Sequence, residues 1–191
     1  MNLDVIWKKA YYNTANIMYI TMSEEKTIQA DTKKLQVATF AAGCFWGVEE
    51  AFSKIKGVKS TMVGYTGGLF DNPTYRDVCT HKTGHAEAVQ VTFDPNEVSY
   101  EDLLNVFWSI HNPTTKNRQG WDIGSQYRSL IAYNTPEQES FARESKEKLE
   151  NSGKFRGRRI VTEIVPASTF YKAEDYHQKY YQRRGGGSCY L

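Results

Sequence analysis

Gln36-Val37-Ala38-Thr39-Phe40-Ala41-Ala42-Gly43-Cys44-Phe45-Trp46-Gly47-Val48-Glu49-Glu50-Ala51-Phe52 is a strand that turns into a helix. Gln36 to Ala41 reads as the strand. Val48, Ala51, Phe52 and Ile55 then recur at helical spacing, so a helix begins close to Cys44. Working outward, Val58 to Tyr65 reads as a second strand, closed by Gly67-Gly68, and Asp71-Asn72-Pro73 marks a turn in the loop that follows. Ala86 to Phe93 alternates as a half-buried strand.

Ser99 precedes Asp102 by three residues, a capping-box pattern that opens a helix through Leu103, Leu104, Phe107 and Trp108. Asn112-Pro113 stops it, and a polar loop runs to Gln126. Tyr127 to Tyr133 is the next expected strand. Thr135-Pro136-Glu137-Gln138 then combines an N-cap, a proline at the first helical position and a glutamine at the third. That helix has only Phe141, Ala142 and Leu149 as an apolar face, so it belongs on the surface. Ile160 to Val165 reads as a last strand, and Phe170 to Arg184 as helix or irregular chain. The central order is strand–helix–strand twice over. It predicts an α+β fold with a split βαβ, ferredoxin-like core, an antiparallel or mixed sheet with helices on one face, and a long irregular C-terminal segment.

The chain has 191 residues, 40% of them apolar and 24% charged, which is ordinary for one globular domain. A domain of that size buries roughly 70% of its unfolded surface and needs no disulfide staple. The net charge of +2 is too small to call for nucleic acid or a membrane surface as partner. No apolar run approaches the ~20 residues that span a bilayer. Residues 1–34 lack the apolar core of a secretory signal and the arginines of a transit peptide. They read as a poorly ordered extension before a domain at 35–191, with Met18 and Met22 as alternative starts. The three cysteines, Cys44, Cys79 and Cys189, are too few for a secreted disulfide framework and fit working thiols in a reducing, cytoplasmic compartment.

Cys44 carries the chemistry. At a helix start it meets backbone N–H groups without intrahelical partners and the positive end of the helix dipole. A thiolate is stabilised there, so the thiol should fall below its ordinary ~8.5. Gly43 and Gly47 leave room for a ligand, and Phe45 with Trp46 would be costly at an exposed helix end unless they line a pocket. Taken alone, a cysteine more often sits inert in an aromatic core. The flanking glycines, paired aromatics and helix start together favour a nucleophile.

The Gly43-Cys44-Phe45-Trp46 stretch resembles the signature of the A-type peptide methionine sulfoxide reductases. Gly84-His85-Ala86-Glu87-Ala88-Val89 is similar to that family's second block. Asn117-Arg118-Gln119-Gly120, followed by Asp122-Ile123-Gly124-Ser125-Gln126-Tyr127-Arg128-Ser129, is similar to its third, and Tyr176-His177-Gln178 to a fourth. The blocks stand in family order from about Val37 to Leu191. The resemblance implies reduction of methionine-S-sulfoxide, peptide-bound and possibly free, as protein repair after oxidation. Cys44 would be the nucleophile and become a sulfenic acid, the first rung of the thiol oxidation ladder. Glu87 would hold the proton, which needs a desolvated carboxyl. By alternation Glu87 falls on the side of Val89, Val91 and Phe93, the side expected to be buried.

Also by resemblance, Tyr75 and Tyr127 would donate hydrogen bonds to the sulfoxide oxygen, Asp122 would hold the substrate backbone, and Phe45 and Trp46 would form the methyl pocket. Cys189, on the Gly185-Gly186-Gly187-Ser188 tether, would resolve the sulfenic acid as a Cys44–Cys189 disulfide that thioredoxin reduces. The resemblance implies no cofactor, no metal and a monomer whose partners are thioredoxin and oxidised proteins. The chain departs from the family pattern in having one tail cysteine and in Trp121, where a small polar residue is expected. Cys79 reads as structural.

Three other readings stand beside this one. Cys79, His81 and His85 could form a metal site, although Cys-x-His-x₃-His matches no usual zinc spacing. His85, His111 or His177 could activate Cys44 in a Cys–His hydrolase. The chain could also be a non-catalytic methionine-binding module.

Overall fold

The computed structural model describes residues 34–185. The extension, apart from Lys34, and the tail with Cys189 therefore lie outside the described residues. From Leu35 onward the elements run β1 (Gln36–Ala42), α1 (Phe45–Ser53), β2 (Val58–Thr66), α2 (Tyr75–Val78), β3 (Ala86–Phe93) and α3 (Tyr100–Ser109). They continue with β4 (Arg118–Gln119), β5 (Asp122–Ile123), a 3₁₀ turn (Ser125–Tyr127), β6 (Ser129–Tyr133), α4 (Pro136–Asn151), β7 (Glu163–Pro166), β8 (Tyr171–Lys172) and α5 (Tyr180–Arg183).

Among the described residues the main sheet has the order β7-β6-β1-β3-β2-β8, and β4-β5 forms a separate hairpin. β3 is inserted between β1 and β2 and is antiparallel to both, and β6 joins β1 antiparallel. That is the split βαβ order expected from the sequence. β7 pairs parallel with β6, so the sheet is mixed. The strand expected from Tyr127 starts at Ser129, because Ser125–Tyr127 turns as a 3₁₀ helix. The last expected strand is shifted to Glu163–Pro166. β8, which lies in the stretch read as helix or irregular chain, adds an edge strand to β2.

Strand alternation sets the layers. Phe40 of β1, Val63 and Tyr65 of β2, and Val89, Val91 and Phe93 of β3 share a buried cluster with Phe45, Val48 and Phe52 of α1 and Leu103, Leu104 and Phe107 of α3. Phe40 is the meeting point. Its ring stacks on Phe52 at 4.9 Å and on Phe107 at 5.4 Å, so both helices rest on one strand residue. On the opposite face, Ala41, Ala86, Ala88, Leu130 and Ala132 form a smaller cluster.

The helix starts follow their caps. Ser99 accepts the Asp102 N–H, and Asp102 accepts the Ser99 N–H. Thr135 accepts the Gln138 N–H. The reciprocal arm is absent there, because Gln138 instead donates to the Val37 carbonyl at 2.9 Å and accepts from Asn134 N–H. It ties the start of α4 to β1. α4 keeps its polar outer face but buries Ala142 and Gln138.

Replacing Phe40 by alanine should lower unfolding free energy by about 3–5 kcal/mol, whereas Ser99→Ala should cost only about 1 kcal/mol. Urea denaturation of the two variants would show this order.

Candidate active site

The turn from β1 into α1 is built around Gly43. Its φ of 97° lies in the left-handed region that favours glycine, and a Cβ there would stand 2.8 Å from Cγ of Gln119. Gln119 is fixed by two bonds to Asn112, accepting its N–H at 3.1 Å and donating to its carbonyl at 3.2 Å. Gln119 is also the cross-strand partner of Asp122. The missing Cβ therefore lets the β4–β5 hairpin close against the strand end and carry Asp122 to it. Cys44 follows as the N-cap residue of α1 and is partly exposed. Three orphan amides of the first turn lie just beyond it.

One of those amides is used by Glu87. Its Oε2 accepts the Phe45 N–H at 3.1 Å, and the residue is only 2% exposed. It lies on the inner face of β3, opposite Tyr65 in register. Burial pushes its carboxyl up to about 8, the Asp122 charge adds to the rise, and the Phe45 N–H bond opposes it. The dry setting expected for this acid is the one it has.

Two phenols complete the cluster. Tyr127 ends the 3₁₀ turn and is half-buried; burial, then the charges of Glu87 and Asp122, push its hydroxyl up, and Cys44 and Cys79 also act on it. Tyr75 opens α2. Burial raises it too, with a hydrogen bond shared with the Cys79 thiol and the charge of Glu87 next in weight. Both phenols therefore stay protonated as donors near neutral pH. The structure thus brings Cys44, Glu87, Tyr75, Tyr127 and Asp122 into one electrostatic neighbourhood.

Phe45 and Trp46 separate in role. Phe45 is 1% exposed and sits in the core, 5.9 Å from the Tyr65 ring and 5.0 Å from His177. Trp46 is half-buried. Its ring stacks flat on Tyr180 at 3.8 Å, and its Nε1–H donates to His177 Nδ1 at 3.1 Å. An indole can only donate, so His177 is held as the neutral Nε2–H tautomer, and burial lowers its pKa further.

Sequence reasoning missed how Glu174 and His177 hold this wall. Glu174 accepts the Tyr75 N–H at 2.8 Å and the Tyr65 hydroxyl at 3.0 Å. Burial raises its carboxyl, but these bonds together bring it below the ordinary value. No local signal distinguishes Glu174 from a surface charge. His177 was visible in a family block and as a candidate base, but not as a partner of Trp46.

The histidines do not support the hydrolase reading. His85 accepts the Gly68 N–H through Nδ1 and donates to the Phe70 carbonyl through Nε2. His111 donates to the Phe107 carbonyl and accepts from Ser129, and burial pushes it down to about 4. His177 has its basic nitrogen taken by Trp46. The Cys79, His81 and His85 trio does not converge either, since His81 turns to Gln126 at 2.7 Å. Trp121 stands at the hairpin tip beside Asp122, 94% exposed.

A sequence profile described as peptide methionine sulfoxide reductase matches residues 36–191. The chain belongs to this family. A relative from Methanoculleus marisnigri named peptide methionine sulfoxide reductase MsrA is 62% identical over 160 residues, covering 84% of this chain and 97% of that one. The methionine sulfoxide reductase A of Corynebacterium diphtheriae superposes with a TM-score of 0.77 at 39% identity, over 83% of this chain and 79% of that one. Mxr1 from Saccharomyces cerevisiae, solved in complex with Trx2, superposes with a TM-score of 0.55 at 27% identity, over 81% and 91% of the two chains. Among the described residues no helix is long and apolar enough to cross a membrane.

The raised Glu87 carboxyl makes a prediction for stability. In the unfolded chain the group ionises near 4.5, whereas in the folded protein it stays protonated up to about 8. Stability associated with this group is therefore full below 4.5 and is lost as pH rises through that window. Glu87→Gln should escape the loss. Urea unfolding between pH 4.5 and 8.5 should show the variant gaining on wild type with rising pH, by a few kcal/mol at most.

Proposed function

We propose that this protein reduces methionine-S-sulfoxide, in peptides and as the free amino acid, with Cys44 as nucleophile. The observation that carries the reading is Glu87, a buried carboxyl of β3 that accepts the Phe45 N–H directly after Cys44 and is kept protonated near neutral pH. A sulfoxide needs that set. Its sulfur is electrophilic, but its oxygen is a poor leaving group until it is protonated.

Cys44 attacks the substrate sulfur as thiolate, favoured by the helix N-terminus. Tyr75 and Tyr127 donate to the oxygen, and Glu87 delivers the proton. The Cys44–methionine S–S bond formed in this attack then breaks as the hydroxyl passes from the methionine sulfur to Cys44 Sγ; its electron pair stays with methionine, which departs, and Cys44 is left as sulfenic acid. Asp122, on the rigid hairpin, accepts from the substrate backbone. Trp46, fixed by His177 and Tyr180, forms the apolar wall for the methyl group, with the buried Phe45 ring packed beside it in the core.

Cys189 then attacks the sulfenic acid, water leaves, and a Cys44–Cys189 disulfide remains. Thioredoxin reduces it by thiol–disulfide exchange. The Mxr1–Trx2 complex in a member of the same fold supports that partner. The reading places a monomeric repair enzyme in the cytoplasm, where thiols are kept reduced.

The test is NADPH oxidation coupled through thioredoxin reductase and thioredoxin, with each sulfoxide epimer. Turnover is expected with the S epimer alone and none with Cys44→Ser; undiminished turnover by Cys44→Ser would sink the proposal. Glu87→Gln should lose about 10²–10⁴ in kcat. Wild-type kcat should fall as pH rises through about 8, where Glu87 gives up its proton. Cys189→Ser should release about one methionine per enzyme and then stop.

A further inference from the structure

A cleft of about 930 Å³ runs along α1 and reaches the nucleophile. Among the described residues given a role in the reaction, Cys44 and Asp122 line it, whereas Glu87, Tyr75, Tyr127 and Trp46 do not. The acid, the phenols and the indole are the groups that would surround the sulfoxide side chain. The cleft therefore borders the thiol and the carboxylate that would hold the substrate backbone, without the groups that handle the sulfoxide itself. Its volume is near the upper end of the roughly 300–1,000 Å³ that small-molecule pockets occupy. That is far more room than the backbone of one amino acid fills.

The lining has the dimensions of a short length of chain. It follows the helix from Cys44 to Lys54, just past the end of α1, a span of about 15 Å. An extended polypeptide advances about 3.4 Å per residue, so about four residues fit alongside. Gly47 and Ala51, one helical turn apart, keep the α1 side of the cleft low, and Trp108 and Phe155 supply apolar surface.

The charges of the lining are unequal. Lys54, Arg118 and Lys154 stand against Glu50 and Asp122. Glu50 is 7% exposed and is paired with Lys54 Nζ at 2.8 Å, so these two cancel. Asp122 is the group that would accept from substrate amides. Arg118 is tied only to a neutral partner, donating its Nε–H to the Gly120 carbonyl at 2.8 Å. Lys154 Nζ lies 5.6 Å from the centre of the Phe155 ring. Among the described residues neither Arg118 nor Lys154 forms an ion pair. His111, also in the lining, stays neutral because burial pushes it down to about 4. Two cations thus face the cleft without a carboxylate of their own.

We propose that this cleft binds the polypeptide on one flank of an oxidised methionine, and that Arg118 and Lys154 make it select segments with acidic side chains over basic ones. The inference rests on the reading of Cys44 and Asp122 given under Proposed function and adds the class of substrate: an extended, acidic stretch of an oxidised protein. With the main chain held at Asp122 and the sulfoxide at Cys44, the neighbouring residues continue along α1, where the two cations meet their side chains. Both cations are exposed, so their attraction acts through water and is screened by salt. It raises the affinity for an acidic segment and leaves the chemical step at Cys44 unchanged.

Two peptide series test this on the full-length protein, with dithiothreitol as reductant so that thioredoxin takes no part. One is acetyl-X-X-Met(O)-Ala-Ala-amide and the other acetyl-Ala-Ala-Met(O)-X-X-amide, with the S epimer of the sulfoxide and X as Glu, Gln or Lys. In one of the two series kcat/KM should fall in the order Glu, Gln, Lys, over a span of about tenfold, as two exposed charge pairs allow. The difference should lie mainly in KM and shrink at high salt. Lys154→Glu and Arg118→Gln should each lower the ratio of the Glu to the Lys peptide, by about threefold or more. Because the ratio is taken within one protein, a general loss of activity cancels from it. Equal kcat/KM for the Glu and Lys peptides in both series overturns the proposal. So does a ratio that neither variant moves, including the case in which the variants instead raise the KM for thioredoxin, which would assign the cleft to the reductant. Failure of the activity itself would look different, since no peptide of either series would then be reduced.

Discussion

The hydrogen bond from the Phe45 N–H to Glu87 is the constraint on which the site depends. It joins the first turn of α1 to the middle strand of a split βαβ unit. β3 can reach that turn because it is inserted between β1 and β2, the two strands that α1 connects. A carboxyl 2% exposed would ordinarily be a severe cost. The helix N-terminus supplies one donor and a favourable field, which is enough to hold the group in place and too little to keep it ionised. Burial prevails, and a proton remains on the acid.

The apolar wall and the phenols hang from the same frame. Trp46 is locked between Tyr180 and His177, and Tyr75 is held by its N–H bond to Glu174. Both Glu174 and His177 belong to the segment after β8, so the irregular end of the chain braces the site from outside. Asp122 reaches it from a third direction, on a hairpin that leans on Gly43 through Gln119. A rigid support of this kind suits the proposed reaction, in which the sulfoxide oxygen is held by the two phenols and the acid while the sulfur changes partners.

Much of this was legible along the chain. The strand–helix–strand pattern and the caps at Ser99 and Thr135 are local, because hydrophobic period and side-chain-to-backbone bonds act over a few residues. Glu87 was readable as buried for the same reason: strand alternation put it with Val89, Val91 and Phe93. Tyr75, Tyr127 and Asp122 were legible only through the family resemblance, since thirteen tyrosines offer no local way to choose two. Boundaries slipped where chain direction is set by distant partners, as at Ser125–Tyr127 and in the edge strand Tyr171–Lys172.

By itself the sequence determined the elements, the inward face of β3 and a cysteine at a helix start, all consequences of forces between near neighbours. Only the tertiary structure decided that Phe45 is a core ring while Trp46 stays half-buried, that Glu174 and His177 brace them, that three histidines are committed elsewhere, and that Cys44 lines a cleft along α1. The Trp46–His177 bond joins positions 131 apart, and even the His85 and His111 bonds to Gly68 and Ser129 join positions 17 and 18 apart, beyond one helical turn or strand pair. No local periodicity records such a meeting.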